Sequence, residues 1–227
     1  MSNRKPIIVT LAVLLVLLII GGYGWSEGYT PGSPVKRTIA VNLSPEHRAE
    51  FEKQVKDATA KVQQNGEDFD SWIQLGSAQY QLGRLADAAF AYEEAGNLRG
   101  KNSLSFSNLG DVYVKMGKLV KARLSYERAL DNNPAYEQHY LKLVEFLQTN
   151  VQNPKADIEA AFERGLKELG SNYTILSAYA DWRERVGDLV SARALWEQLL
   201  RINPGNKAIQ ERIAGINNRL NQGAGGK

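Results

Sequence analysis

Two histidines, His47 and His139, are the only imidazoles in 227 residues, and there is no cysteine at all. A zinc site draws its three or four protein ligands mainly from these two residue types, so neither a structural nor a catalytic zinc centre is expected. Without cysteine there is no thiol nucleophile and no disulfide framework. No serine stands in a nucleophile motif with a histidine and an acid to activate it, and no glycine-rich phosphate loop follows a strand pattern. The chain is therefore not expected to be an enzyme, and no metal or cofactor is expected. What remains is charge: 28 Lys and Arg against 25 Asp and Glu, a net +3. Arg4 and Lys5 precede every acid in the chain, so the body is close to neutral and has no long basic run. That balance lacks the electrostatic footprint of a nucleic-acid binder. Recognition of another protein is the chemistry left.

The elements that must position those charges show themselves as a repeat. At an offset of 34 the chain places Trp72 over Phe106, Leu75 over Leu109, Gly76 over Gly110, Gly83 over Gly117, Ala88 over Ala122, Tyr92 over Tyr126 and Ala95 over Ala129. The small residues let helices pack closely, and Gly83 and Gly117 supply the left-handed backbone that ends a first helix. Pro134 stops the second helix of its unit. In register and residue type these units resemble the tetratricopeptide repeat, whose signature runs from an aromatic through Leu-Gly, a turn glycine, Ala, an aromatic and Ala to Pro. The second unit completes the signature with Tyr113 and Pro134; the first departs, with Gln79 in an aromatic place, Tyr80 one residue later and Gly100 in place of the proline.

Two weaker units follow. The third carries Tyr140, Leu143, Leu147, Phe162 and Gly165, but Val144 stands in the close-packing glycine place and Val151 in the turn-glycine place. It needs a two-residue insertion near Asn153 and Pro154, and wider helix crossings are expected around Val144. The fourth has Leu176, Ala180, Gly187, Ala192, Trp196 and Pro204. Ahead of the repeats, Ser44 and Pro45 read as an N-cap and a first helical residue, and Phe51, Val55, Ala58 and Val62 recur at helical spacing. After them, Ile209, Ile213, Ile216 and Leu220 form one apolar stripe on a polar helix, the pattern of a solenoid cap. The expected fold is all-α, a tetratricopeptide-type solenoid of helix pairs.

The resemblance implies a groove along the first helices, lined at the second, fifth, ninth, twelfth and thirteenth places of each repeat. On this chain those places give Asp70, Ile73, Ser77, Tyr80, Asp111, Lys115, Glu145, Asp181, Glu184 and Arg185. The centre of that row leans acidic, so the occupant it implies is a protein or peptide segment bearing Lys or Arg near Asp111, Glu145 and Asp181. The other reading of these acids is a plain solvated helix face.

One segment stands apart from the repeats. From Ile7 to Ile20 every residue but Thr10 is Ile, Val, Leu or Ala. Extended as a helix to Trp25 it is about 28 Å long, close to a bilayer core. Tyr23, Trp25 and Tyr29 follow where aromatic rings favour the interface. An uncleaved single-pass anchor is expected; a cleaved signal peptide is the alternative, although no Ala-x-Ala cleavage site follows. The expected order is a cytoplasmic tail 1–5, a transmembrane helix 6–25, a linker 26–43 and an N-terminal helix 44–66. The repeats then occupy 69–102, 103–136, 137–172 and 173–206, followed by a capping helix 207–221 and a disordered tail 222–227. In layout this is similar to bacterial inner-membrane repeat proteins that assist cytochrome c maturation or secretion, with the C-terminal body outside the cytoplasm. The functional expectation is a membrane-anchored scaffold; a self-assembling structural protein and a secreted soluble module are the alternatives.

Overall fold

The computed structural model describes residues 41–224, and the expected tail, transmembrane helix and most of the linker lie outside them. Ten helices and no strand are found among the described residues. In order they are α1 (Pro45–Gln64), α2 (Phe69–Gln81), α3 (Leu85–Leu98), α4 (Ser103–Lys115), α5 (Leu119–Asn132), α6 (Glu137–Asn150), α7 (Lys155–Leu169), α8 (Tyr173–Arg185), α9 (Leu189–Ile202) and α10 (Lys207–Ala224). None of the described helices is long and apolar enough to cross a membrane. The chain divides into two compact units within α3, after Ala91.

The first unit is built on α1. Ser44 caps it by accepting the His47 N–H, and Pro45 occupies the first helical position, where its missing N–H costs nothing. Its apolar stripe, Val55, Ala58 and Val62, closes on Trp72 and Leu75 of α2 and Ala91 of α3. Trp72 is fixed at both ends: its indole N–H donates to the Gly66 carbonyl at 2.8 Å, and its ring meets Phe90 edge-on at 5.8 Å.

The second unit holds the pairs α4–α5, α6–α7 and α8–α9, followed by the single helix α10. In the pair α4–α5 the small residue works differently from the expected backbone-on-backbone contact. A Cβ on Gly110 would lie 2.6 Å from the Tyr126 ring, so the glycine seats an aromatic side chain of the facing helix. In the pair α6–α7 the equivalent residues are Val144 and Phe162, both buried, and the two helices approach less closely along their lengths than α4 and α5 do. The close contact moves instead to Gly165, whose missing Cβ leaves room for the rings and methyls of Tyr140 and Ile175 at 3.3 Å. In α8–α9 the equivalents are Ala180 and Trp196, packed with Leu176, Ala192, Leu199, Ile209 and Ile216 into the core that α10 closes.

The turns between helices show the same adaptation. Gly83, Gly117 and Gly187 adopt positive φ of 73°, 70° and 81°. Val151 in the third unit cannot do so without a steric penalty and stays extended at φ −118°. Asn153, inside the inserted residues, takes the left-handed conformation at φ 51°. Asparagine tolerates that region better than any β-branched residue. At the end of the chain the last helix runs to Ala224, beyond the Asn221 bound expected from its apolar stripe.

Candidate functional site

The residues that could do chemistry in the second unit lie on its first helices, α4, α6 and α8, and on α10. Asp111, in the middle of α4, accepts the Tyr126 hydroxyl on Oδ1 at 2.7 Å and pairs through Oδ2 with the Lys142 ammonium on α6. Asp181, in the middle of α8, pairs with Arg212 on α10. Both links join a carboxylate to a cation 31 residues further along the chain. The ninth place of one repeat therefore reaches the sixth place of the next first helix. Glu145 holds the ninth place of the third repeat, and the corresponding sixth place on α8 is Ala178. Glu145 is exposed and forms no ion pair among the described residues. The row thus alternates a closed rung, an open carboxylate and a closed rung.

Glu184, beside its place in the row, makes contacts within the fold. Its side chain is 13% exposed; Oε1 accepts the Trp196 indole N–H at 2.8 Å and the Arg212 Nε–H at 2.7 Å, while Oε2 faces Arg219 at 3.4 Å. The Arg212 guanidinium also lies over the Trp196 ring at 4.7 Å from its centroid. Glu184 is therefore a staple between α8, α9 and α10. Together with Asp181, Arg185, Arg212 and Arg219 it walls a shallow recess of about 470 Å³. Lys115 and Arg185 are exposed at the ends of α4 and α8. In the first unit, Asp70 and Ser77 are exposed on α2, while Ile73 and Tyr80 are half-buried. Sequence reasoning missed Lys142, Arg212 and Arg219; the signal available for the first two was a cation 31 residues after an acid.

The N-termini of the first helices vary in a way that bears on the same row. Asp68, Asn102 and Asn172 each cap their helix by accepting the backbone N–H three residues on. Asn172 also donates to Glu137 Oε2 at 2.6 Å, which ties the start of α8 to the start of α6. At the start of α6 the equivalent residue is Tyr136, which makes no side-chain cap bond. His139 follows it, buried, with the Tyr136 ring edge-on at 4.8 Å and no hydrogen-bond partner on either ring nitrogen. Burial lowers its pKa, and the nearby Lys142 charge adds to the effect. It is a neutral core histidine. His47 sits exposed in the first turn of α1. Among the described residues no group of three or more His, Asp or Glu is placed to hold a metal ion.

Elsewhere the charges build structure. Arg183 is 14% exposed, stacks on Tyr179 and Trp182, and pairs with Glu159 at 2.7 Å and Asp188 at 3.0 Å. The Tyr179 ring lies parallel to Phe162 at 4.7 Å, so α7, α8 and the start of α9 are locked by one aromatic and ionic cluster.

The tetratricopeptide repeat model matches residues 69–102 and 105–136. No curated protein matches the chain. Among solved structures, MamA is 15% identical with a TM-score of 0.55, over 78% of this chain and 99% of its own. YrrB, described as a tetratricopeptide repeat protein with an unusual peptide-binding site, is 16% identical with a TM-score of 0.51, over 74% of this chain and 85% of its own. A repeat protein from Parabacteroides merdae is 17% identical with a TM-score of 0.51, over 79% and 75% respectively. At these identities the likeness is one of fold. The two matched segments carry tetratricopeptide repeats, a helix-pair scaffold used in general for protein–protein interaction and not for catalysis.

Proposed function

We propose that these repeats serve as a membrane-tethered adaptor that holds a segment of another protein along the first helices of the second unit, with Glu145 as the anchoring carboxylate. The observation that carries this reading is the open rung. Asp111 and Asp181 are each neutralised by a cation of the next first helix, whereas Glu145 faces an alanine place. A Lys or Arg on the partner supplies the charge that Ala178 does not. The flanking aspartates add to the site, because an ionised carboxylate offers about four acceptor positions and each is only partly used. One peptide-binding relative in fold, YrrB, supports a protein segment as the class of occupant.

The apolar run from Ile7 to Ile20 supplies the anchor in this reading, with the repeats on the extracytoplasmic side. Work in envelope protein assembly, such as cytochrome c maturation or secretion, fits one anchor carrying an exported scaffold. A photocrosslinker at Thr149, one turn from Glu145, reports the partner in native membranes. Glu145→Lys and Ala178→Lys should each reduce the crosslinked species about tenfold, the second by closing the rung from within. Asp111→Lys with Asp181→Lys should weaken it as well. An unchanged yield in Glu145→Lys and Ala178→Lys removes the site. A fusion after Lys227 with a reporter active only outside the cytoplasm tests the topology; activity of a cytoplasm-only reporter overturns it.

A further inference from the structure

A second surface of the same unit has a different chemistry. Between the C-terminal part of α3 and α5, over α4, lies a groove of about 250 Å³ whose floor is Phe106 and Leu109 and whose wall is Leu124. That volume suits one side chain of Leu or Phe size. Leu124 is 60% exposed, and Val120, one turn earlier on α5, is 76% exposed. Phe106 is held in place from below, because a Cβ on Gly96 would come within 3.0 Å of its ring.

Two cations flank Leu124 on α5, and both lie over aromatic faces. The Arg128 guanidinium is 3.9 Å from the Phe106 centroid, and the Lys121 ammonium is 5.4 Å from the Tyr113 centroid. Neither forms an ion pair among the described residues, although Arg123 on the same helix pairs with both Glu127 and Asp157. The one carboxylate on the opposite wall, Glu93, accepts the Tyr113 hydroxyl. The α5 rim is thus cationic beside an apolar seat.

We propose that this groove captures a short acidic segment of another protein, with a bulky apolar side chain against Leu124 and carboxylates on Lys121 and Arg128. The spacing sets the motif. Seven residues of α5 separate the two cations, about 10.5 Å along the helix axis. A polyproline-II segment turns once in three residues and rises about 9.3 Å in doing so, so two acids three places apart share one face and span the two cations, with the apolar residue between them. The stacked rings keep both cations extended along the rim before the partner arrives, which reduces the side-chain entropy lost on binding. This surface is separate from the Glu145 row, and the two ideas stand or fall independently.

The test uses the full-length chain and a labelled peptide in which Glu, Leu, Ala and Glu run consecutively between Gly and Ser flanks. It should bind at least about tenfold more tightly than the same peptide with Lys for both Glu residues, and more tightly than one with Ala for Leu. Lys121→Glu with Arg128→Glu should reverse the preference between the acidic and basic peptides. Lys121→Glu alone leaves Phe106 covered and should weaken the acidic peptide several-fold, and Leu124→Ala should do the same. Ala178→Lys should leave this binding unchanged. Equal binding of the acidic and basic peptides, no measurable binding, or indifference to the charge reversal overturns the proposal. So does a concentration-dependent mass abolished by Leu124→Glu, which would make a second copy of the chain the occupant.

Discussion

The second and third repeats solve the same steric problem with different residues. In α4–α5 a glycine makes room for a tyrosine ring; in α6–α7 Val144 and Phe162 fill that layer, and Gly165 admits Tyr140 one layer away. The α4–α5 turn uses Gly117 at φ 70°, whereas the α6–α7 turn is one residue longer and passes the left-handed conformation to Asn153. Val144 with Phe162 is the bulkier pair, and α6 and α7 stand further apart along their lengths to hold it, as a close-packed interior requires. Two features are not replaced. The N-cap of α4, Asn102, has no working counterpart at Tyr136, and the rung that Asp111 makes with Lys142 has none at Glu145. Packing must be satisfied in every repeat, while a cap or a surface ion pair contributes only about 1 kcal/mol or less and can be surrendered.

The comparison breaks most visibly at Gly110. Gly110→Leu forces the Tyr126 ring out of its seat and should cost about 3 kcal/mol or more in urea unfolding, whereas Gly165→Ala, with 3.3 Å of clearance, should cost about 1 kcal/mol. Equal costs would mean that the two layers are not packed as described. Next in size is the pH response of the third repeat. His139 has a folded pKa lowered by burial, so its contribution is full above the ordinary imidazole value near 6.5 and is lost as pH falls through that value toward the folded one. Stability should fall by up to about 1.4 kcal/mol per pH unit over that range, and His139→Ser, which copies Ser105 of the second repeat, should flatten the response.

The turns give a smaller contrast. Gly117→Ala should cost about 1 kcal/mol, since it puts a Cβ on a left-handed residue, while Asn153→Gly should leave stability nearly unchanged. The smallest effect is a gain. Tyr136→Asn restores the missing cap of α6 and should stabilise by about 0.5 kcal/mol, the cap bond being partly offset by loss of the ring contact with His139. A melting temperature lowered by this change would show that the Tyr136–His139 contact outweighs the cap.

Much of the fold was legible in the sequence because it rests on local rules. Ser44 and Pro45 start a helix wherever they stand, Gly117 and Gly187 end one, and a 34-residue period in small and aromatic residues is visible without knowing what they touch. The site was legible only as a row of positions. Repeat register placed Asp111, Glu145 and Asp181 in equivalent places, but nothing local distinguished the two that carry an internal cation from the one that does not. Glu184 shows the limit most sharply: by position it belongs to the row, yet its carboxylate holds Trp196 and Arg212.

By itself, then, the order of residues determined that the described chain is helical, that it comes in pairs, and which places face alike, because helix propensity, capping and period depend on neighbours within a few turns. Only the packed structure decided which of those places are already filled. Whether a carboxylate is open or closed depends on a side chain about thirty residues away, and whether a surface groove has a floor depends on a glycine on one helix admitting a ring from the next. Such contacts are set by how far apart the helices come to rest, a distance fixed by the volumes of all the side chains between them.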